Sequence, residues 1–390
     1  MVISNLLTPQ LEADIIALAQ SLVRIKSLPG QEAEAIKFAE QKMIALGYDE
    51  VLIDSMGNVL GRLGAGPKSI LLDAHLDTVA VNDAAEWAIP PFSGEVRNGR
   101  LHGRGSVDMK SAAAAAIYAG IVAKKSGLAE GKTVYVSCTV MEEDCDGENL
   151  KHLFQELNLR PDYVLICEPS NNQIMLGHKG KAQIAITTHG VSAHGAAPEK
   201  GRNAIYEMAE IIQRVERMNE ELVVRNGRKA TLVISQISSA SASLNAVPTA
   251  CEVYLDRRMI PGETEETIRR EMAQLIAGKN ASWAIGVLHK TSWTGQAVRY
   301  EPFHPAWQIA RDHPLTQACV AAYRQTFGAE PANFGFWDFS TNAVTPVSLG
   351  IPTIGFGPGD YRQAHMRDES CPVQQIVDAC RFYIHSIHSL

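Results

Sequence analysis

The feature that most constrains the fold of this chain is a series of short, continuously apolar runs, with helical segments between most of them. Four of these runs occupy residues 51–54, 69–77, 133–141 and 162–168. A strand that is apolar along its whole length is typical of a parallel sheet that helices cover on both faces. The sequence therefore predicts an α/β domain with a mostly parallel sheet flanked by helices.

The pattern changes after Glu168, where polar and apolar residues begin to alternate. Alternation is typical of half-exposed strands, and helical segments interrupt it here. Such strands with helices on one face predict a separate α+β unit inserted into the first domain. The predicted strands lie at 181–190, 230–238 and 251–259, and the predicted helices lie near 203–219 and 264–277.

The pattern of the first domain, apolar runs with helical segments, returns from about Pro314. A helix is predicted through Phe327, the run VTPVSLGIPTIGFGPG is predicted as strand and loop, and a closing helix is expected from about Pro372. The larger domain is therefore expected to be discontinuous. The predicted division assigns 1–179 and 296–390 to the larger domain and 180–295 to the insert.

The composition argues against several classes of protein. A formal net charge of −7 does not suit a nucleic-acid-binding protein, which needs a basic surface to neutralise phosphates. The longest apolar stretch, 112–123, is too short to span a bilayer, and residues 1–20 lack the pattern of a signal peptide. The seven cysteines form no CxxC pair, so the expectation is reduced thiols in a cytoplasmic protein with no membrane partner.

Candidate site residues stand at or just beyond the ends of the predicted strands, where the sites of open α/β sheets form. His75 and Asp77 end one run, and their two-residue spacing directs both side chains the same way. A carboxylate in that place is able to hold the ring of a metal-bound histidine. Asp108 follows a Gly-rich turn and precedes an Ala-rich helix. Its carboxylate could cap that helix or bridge two cations, and the residue alone favours the cap.

Glu142 and Glu143 end another run and repel each other unless a positive charge lies nearby. A cation held by one carboxylate, with a water positioned by the other, is what metal-assisted hydrolysis needs. A solvated acidic turn is the competing interpretation. Glu168 ends a further run, and His365 follows the GFGPG loop. Imidazole and carboxylate groups without cysteine suit zinc, with manganese or cobalt as alternatives.

Two other catalytic patterns are incomplete. The segment GVSAH at 190–194 has histidine where a nucleophile elbow needs its closing glycine. The segment GFGPG at 355–359 lacks a following helix and has proline where a dinucleotide-binding loop needs backbone donors. A serine hydrolase and a dinucleotide-binding protein are therefore disfavoured.

A set of motifs resembles the M20 family of zinc hydrolases in order and spacing. That family includes succinyl-diaminopimelate desuccinylase, acetylornithine deacetylase and carboxypeptidases. The segments EEDCDGE and FSTNAV resemble its branch of selenium-metabolism-linked hydrolases, and Ser111 departs from the glycine that usually follows DMK. The motifs are DAHLD, HGRGSVDMK, MEED, CEPS, GVSAHGAAPEKGRNAI, NAVP, DRRMIPG and GPGDYRQAH.

The resemblance implies two metal ions, expected to be zinc. Asp108 would bridge them. His75 and Glu168 would complete the ligands of one ion, and Glu143 and His365 would complete those of the other.

The resemblance also implies the remaining roles in catalysis and binding. Asp77 would orient the metal-bound imidazole, and Glu142 would be the general base and then the acid. In the inserted lid, His194 would reach the site of a partner subunit and stabilise the oxyanion. Asn245 and Arg258 would hold the carboxylate of the substrate, the arginine through its two-pronged guanidinium.

The function implied is that of a metal-dependent amidohydrolase, or deacylase, that forms a homodimer through its lid. Its expected substrate is a small N-acyl or N-carbamoyl amino acid with a free carboxylate. A dipeptidase or aminoacylase-type peptidase is the alternative. A non-catalytic binding or scaffold protein is a remote one, because Glu142 and all five ligands are present. The acyl group, the amino-acid side chain and the physiological metal stay open at this point.

Overall fold

The structure is a computed structural model that describes residues 6–222, 224–225 and 227–390. No helix among these residues combines the length and apolar character needed to cross a membrane. The helices are α1 (Pro9–Arg24), α2 (Ala33–Leu46), α3 (Lys110–Lys125), α4 (Glu142–Cys145), α5 (Glu148–Glu156), α6 (Ala204–Glu221), α7 (Glu265–Ile276), α8 (Pro314–Phe327), α9 (Val344–Ser348) and α10 (Val373–Ser389).

The strands fall into one large mixed sheet, one antiparallel sheet and several small ribbons. The first nine are β1 (Glu50–Ile53), β2 (Val59–Leu63), β3 (Lys68–His75), β4 (Glu95–Arg97), β5 (Arg100–His102), β6 (Lys132–Thr139), β7 (Tyr163–Ile166), β8 (Met175–His178) and β9 (Gly180–His189). The others are β10 (Val224–Arg225), β11 (Arg228–Lys229), β12 (Thr231–Ala240), β13 (Ala250–Met259), β14 (Ala281–Ile285), β15 (Leu288–Thr291), β16 (Ala297–Tyr300), β17 (Phe303–His304), β18 (Trp307–Gln308), β19 (Gly335–Trp337), β20 (Thr353–Gly355) and β21 (Ser370–Pro372).

The first two helices begin and end at residues whose chemistry sets helix termini. Thr8 caps α1 by accepting a hydrogen bond from a backbone N–H of the first turn, and Pro9 occupies the first helical position. Gly47 ends α2 in the left-handed region with a φ of 91°, a conformation that glycine adopts at little cost.

β3 lies at the centre of the large sheet, between β6 and β7, and is parallel to both. The order of the sheet is β1-β2-β6-β3-β7-β20-β8-β18, with β19 paired to β8. The central strands are almost wholly buried, as continuous apolar runs predict. Because they run in one direction, their carboxyl ends meet at the same edge of the sheet. The predicted α/β fold class is confirmed.

α3 is buried on every side against this sheet. Its residues 110–123 are all buried, and it contacts β3, β6, α1 and α10. Alanine allows this arrangement, because small side chains let a helix approach its neighbours closely and alanine has the highest helix propensity. α3 begins two residues after Asp108, so its packing determines where that carboxylate lies.

The second sheet has the strand order β12-β13-β9-β14, with β17 also paired to β9. Buried and more exposed residues alternate along β9 and β13, as their sequence pattern predicts. α6 and α7 pack against this sheet and close a core that includes Ile184, Met208, Leu255 and Met272. These elements form the expected α+β unit.

The exact domain boundaries, at 179/180 and 295/296, stay a prediction. The two-stranded ribbon of β15 and β16 lies on either side of the second boundary. Val298 and Tyr300 of that ribbon are buried with the larger core. Packing therefore connects the end of the insert closely to the larger domain.

One predicted strand is wrong. The run VTPVS, expected to belong to a strand, is the helix α9, and β20 begins only at Thr353. A short apolar run has too few residues for its periodicity to distinguish helix from strand. Here tertiary contacts decide, because α9 packs against α5 and Thr345 Oγ1 donates a hydrogen bond to the carbonyl of Gly147 at 2.6 Å.

Candidate active site

Carboxylates and imidazoles gather at the edge where the central strands end. His75 is the last residue of β3, and Glu168 follows β7 by two residues. Glu142 and Glu143 begin α4, shortly after β6. Because these three strands are adjacent and parallel, the residues that follow them lie together. The loop before α3 adds Asp108 to the group.

Asp108 presents a different carboxylate oxygen to each of two imidazoles. Its Oδ1 lies 3.0 Å from His75 Nε2, and its Oδ2 lies 3.3 Å from His365 Nε2. Glu168 Oε1 is 3.7 Å from His75 Nε2, and Glu143 Oε2 is 3.0 Å from His365 Nε2. The structure thus brings together all five residues expected as metal ligands, in two sets that share Asp108.

The electrostatics of this cluster favour bound cations. Burial and the charge of Asp108 raise the pKa of Glu168. Hydrogen bonds to Asp108 and Glu143 raise the pKa of His365 to about 10. Carboxylates this close repel each other, and a bound cation relieves that repulsion.

The donor atoms also suit such cations. Two groups of three imidazole and carboxylate donors each lie within 4.8 Å, namely His75, Asp108 and Glu143, and His75, Glu142 and Glu168. Oxygen and nitrogen donors of this kind bind zinc, manganese or cobalt. Both groups contain His75 and neither contains His365, so they differ from the two sets that share Asp108, but the donor types of all five residues fit divalent cations.

Asp77 connects His75 with the start of α4. His75 Nδ1 lies 2.9 Å from the main-chain oxygen of Asp77 and 3.5 Å from its Oδ1, so the carbonyl is the nearer acceptor. The carboxylate accepts hydrogen bonds from the backbone N–H groups of Glu142 and Glu143, at 3.1 and 3.0 Å. One buried residue thus contacts the imidazole and holds the segment that carries the two glutamates.

Sequence reasoning missed the ion pair that supports Asp108. Glu369 Oε1 accepts hydrogen bonds from the backbone N–H groups of Val107 and Asp108, at 2.7 and 3.2 Å. Its other oxygen pairs with Arg104 Nη1 at 2.6 Å, and Arg104 Nη2 donates to the carbonyl of His365 at 3.2 Å. The pair joins the two loops that carry Asp108 and His365. The only signal in the sequence was that both residues flank site motifs, HGRGSVD and HMRDE.

A cavity of about 250 Å³ lies beside the cluster, and Glu142 lines it. Arg258 of β13 and Lys181 of β9 line the same cavity. The guanidinium of Arg258 is bound by Asp256 through Nε at 2.7 Å and Nη2 at 3.0 Å. The arginine expected to hold a carboxylate therefore reaches the cavity, but an aspartate occupies two of its donors.

His194 and Asn245 lie elsewhere in the same chain. Their loops are joined by a hydrogen bond from the N–H of Gly195 to the carbonyl of Asn245, at 2.7 Å. His194 Nδ1 accepts a hydrogen bond from the backbone N–H of Ala196 at 3.0 Å, and both His194 and Asn245 are exposed. Neither is among the described residues that line the cavity. Within one chain, the structure does not bring these two side chains to the five ligands.

The sequence profile of peptidase family M20/M25/M40 matches residues 71–389. The chain belongs to this family. It is 36% identical over 376 residues to the uncharacterized protein YgeY of Escherichia coli K12, and the aligned region covers 95% of this chain and 93% of that protein. It is 30% identical over 322 residues to acetylornithine deacetylase of Proteus mirabilis, covering 80% and 77% of the two chains. It is 29% identical over 382 residues to succinyl-diaminopimelate desuccinylase of Corynebacterium glutamicum, covering 94% of each.

Solved structures of peptidases share the fold. Aminopeptidase PepT from Bacillus cereus superposes with a TM-score of 0.73 at 20% identity, covering 97% of this chain and 98% of that one. The YXEP protein of Bacillus subtilis, described as a dinuclear metal binding peptidase of the M20 family, superposes with a TM-score of 0.70 at 14% identity, covering 97% of each chain. Family membership makes this protein a metal-dependent hydrolase.

Proposed function

We propose that this M20 protein hydrolyses the amide bond of a small N-acyl or N-carbamoyl amino acid and releases the free amino acid. The observation that carries the proposal is the shared Asp108, whose two oxygens face two separate imidazole–carboxylate sets. Two similar proteins are named as a deacetylase and a desuccinylase of amino-acid derivatives, which supports this substrate class.

In the proposed metal centre, Asp108 would be shared between two cations, zinc or in its place manganese or cobalt. His75 and Glu168 would hold one cation, and Glu143 and His365 would hold the other. When bound, divalent cations of this kind polarise a carbonyl group and lower the pKa of water. The contacts of Asp77 support this arrangement, because they restrain the ring of His75.

Glu142 is the proposed general base. It lines the cavity, and its Oε2 lies 3.9 Å from His75 Nε2. Its carboxylate takes a proton from the attacking water and then returns a proton to the leaving amine nitrogen. Burial and the charge of Glu168 raise the pKa of Glu142.

His194 is proposed to act on the site of a second copy of this chain, where it stabilises the oxyanion. The exposure of His194 away from the cavity of its own chain supports this role. β12 is an edge strand of the described antiparallel sheet, and Val233 and Ile237 of this strand are more than half exposed. Exposed apolar residues on an edge strand are typical of an interface, so a homodimer through the insert is proposed.

The free carboxylate of the substrate is proposed to bind Arg258, with Asn245 contributed together with His194 by the second copy. The place of Arg258 in the cavity wall supports its part in this role. A dipeptide has the same amide and carboxylate, so a dipeptidase is the second candidate and belongs in the same test.

The insert is proposed as a lid and dimerisation domain at 180–295, with the catalytic domain at 1–179 and 296–390. We also propose a cytoplasmic location, supported by seven cysteines that are all free and buried. Fractionation of cells that produce the protein tests the location.

The function is tested by a turnover screen of the metal-loaded protein. N-acetyl, N-succinyl and N-carbamoyl amino acids and dipeptides are supplied with zinc, manganese or cobalt, and release of the free amine is measured. We expect hydrolysis of at least one class, with kcat lowered by about 10²- to 10⁴-fold in the Glu142→Gln variant. Hydrolysis that survives complete chelation, or no hydrolysis of any compound under any metal, would overturn the proposal.

A further inference from the structure

Two basic side chains lie side by side on the lid strands that face the cavity. Lys181 of β9 and Arg258 of β13 are directly opposite each other in the antiparallel register. Directly opposed residues point to the same face of a sheet, with Cβ atoms about 5 Å apart, and like charges in these positions are unfavourable. Both residues line the cavity that also contains Glu142 and Glu168. The sheet thus places two positive charges together at the site, where both could bind one anion.

The two cations are not equally available to a ligand. Asp256 accepts from both Nε and Nη2 of Arg258, so this guanidinium has a carboxylate partner already. Lys181 donates one hydrogen bond to Asp146 Oδ1 and lies over the ring of Tyr300, with Nζ 5.3 Å from the ring centroid. An ammonium group carries three donors, and Asp146 is the acceptor that the described residues provide. Lys181 therefore has donors left for a ligand in the cavity.

Asp146 restrains the position of Lys181. It is 3% exposed and lies just after α4, the helix that carries Glu142 and Glu143. The hydroxyl of Tyr300 also donates to its Oδ1, so two hydrogen bonds orient one oxygen. A buried carboxylate is costly without a positive partner, and Lys181 is that partner. The ammonium group is consequently held at a defined distance from the segment that carries the proposed base.

We propose that Lys181, held by Asp146, is a second substrate-binding cation that binds the free carboxylate of the substrate together with Arg258. The inference rests on the proposed function and names a residue of the same site. Lys181 supplies unoccupied donors, and Arg258 supplies the remaining charge. The preferred substrates are accordingly amides whose free carboxylate is close enough to the scissile bond for both groups to fit in this cavity.

The chain contains a matched control for this role. Lys290 and Asp144 form an ion pair of 2.8 Å between the same two parts of the molecule, since Asp144 lies in α4 and Lys290 lies in β15. Neither residue is among the described ones that line the cavity. If Lys181 only ties the insert to α4, then Lys181→Met and Lys290→Met should behave alike. If Lys181 binds substrate, they should differ in KM.

The experiment uses the metal-loaded enzyme and the panel compound that the wild type hydrolyses best, with the C-terminal carboxamide of that compound beside it. We expect Lys181→Met to raise KM for the free acid roughly ten- to a hundredfold, as the loss of a charged hydrogen bond does, with kcat within a few fold. Lys181→Arg should recover part of the loss, and Lys290→Met should leave KM unchanged. KM for the carboxamide should differ little between Lys181→Met and the wild type.

Equal KM values for Lys181→Met and the wild type would overturn the proposal, as would equal effects of Lys181→Met and Lys290→Met. Thermal unfolding shows whether each variant is folded. If Lys181→Met is not folded, the KM of Lys181→Arg for the free acid decides the question. Calorimetric titration of N-acetylalanine into the zinc-loaded Glu142→Gln protein, with and without Lys181→Met, measures binding without turnover. Failure of the proposed function can be distinguished from failure of this proposal. In that case the wild-type enzyme hydrolyses no panel compound, while the titration still reports on Lys181.

Discussion

The carboxyl edge of the large sheet and the exposed loops of the insert provide two kinds of candidate site residue. At the sheet edge, His75 and Glu168 are 1% and 2% exposed and lie within 4 Å of each other. In the insert, His194 and Asn245 are exposed and lie outside the cavity of their own chain. The first group is complete within one chain, whereas the second group is proposed to act only on the site of a second molecule.

The difference separates two requirements of the proposed reaction. Metal binding and proton transfer depend on groups whose positions the core determines, so they should survive in an isolated chain. Stabilisation of the oxyanion by His194, as proposed, would depend on a surface that meets its site only in a dimer. Experiments that remove one requirement at a time test whether this division is real.

The largest effect is expected from removal of the metal. Chelation followed by dialysis should abolish hydrolysis, because the residues at the sheet edge then lack the Lewis acid that polarises the amide. Addition of zinc, manganese or cobalt should restore it. Release of amine and metal content by mass spectrometry are measured on the same samples. Activity of protein shown to be metal-free would mean that the sheet edge is not the catalytic centre.

A smaller but still large effect is expected from Glu142→Gln. The amide cannot accept the proton of the attacking water, so kcat should fall by about 10²- to 10⁴-fold. Metal content should stay near that of the wild type, since Glu142 is not a proposed ligand. Glu143→Gln is the matched control, because it should instead lower metal content. Wild-type turnover by Glu142→Gln would remove this residue from the mechanism.

His194→Ala tests the insert directly. Loss of an oxyanion donor should lower kcat by about 10²- to 10³-fold with metal content unchanged. Mixing His194→Ala with Glu142→Gln protein under conditions of subunit exchange should restore about a quarter of wild-type activity, since half of the dimers are mixed and each has one intact site. Recovery is measured against each variant exchanged with itself. No recovery despite demonstrated exchange would indicate that His194 acts within its own chain or not at all.

The smallest effect is expected from a charge placed on the edge strand. Ile237→Lys should weaken the dimer through β12 and lower activity roughly tenfold at dilute protein, with recovery at higher concentration by mass action. Analytical ultracentrifugation measures the association. Ile44→Lys is the matched control, because Ile44 is similarly exposed, at 58%, but lies on α2. A dimer that is unaffected by Ile237→Lys would place the interface elsewhere.

Much of the fold and the five proposed ligands could be predicted because the signals are local. A continuous apolar run predicts a buried parallel strand, and the polar residue at its end marks the edge where His75 and Glu168 lie. The family resemblance implied that Asp108 would bridge two metal ions; in the structure its two oxygens face two imidazoles, and the bridging role stays a proposal. The helix α9 was mispredicted because its five residues make less than two helical turns, which is too short to show a periodicity.

The partners of the cavity cations could not be predicted in the same way. Lys181 and Arg258 meet only because β9 pairs with β13, and no spacing along the chain predicts that register. Asp146 lies in an acidic segment that resembles a solvated turn, yet it is buried beside Lys181 and Tyr300. Arg258 was expected to hold the carboxylate of a substrate, and the sequence did not predict that Asp256, two residues earlier on the same strand, accepts hydrogen bonds from its guanidinium.

The enclosure of α3 has a consequence for how long a cation stays bound. A helix covered on every side has no face that can accept added volume, so enlarging one of the alanines of α3 should displace the whole helix. Asp108 lies just before the first residue of α3, and α1 and α10 pack against this helix. Mutations in the first or last helix, far from any proposed ligand, are therefore expected to shorten the residence time of the metal before they unfold the protein.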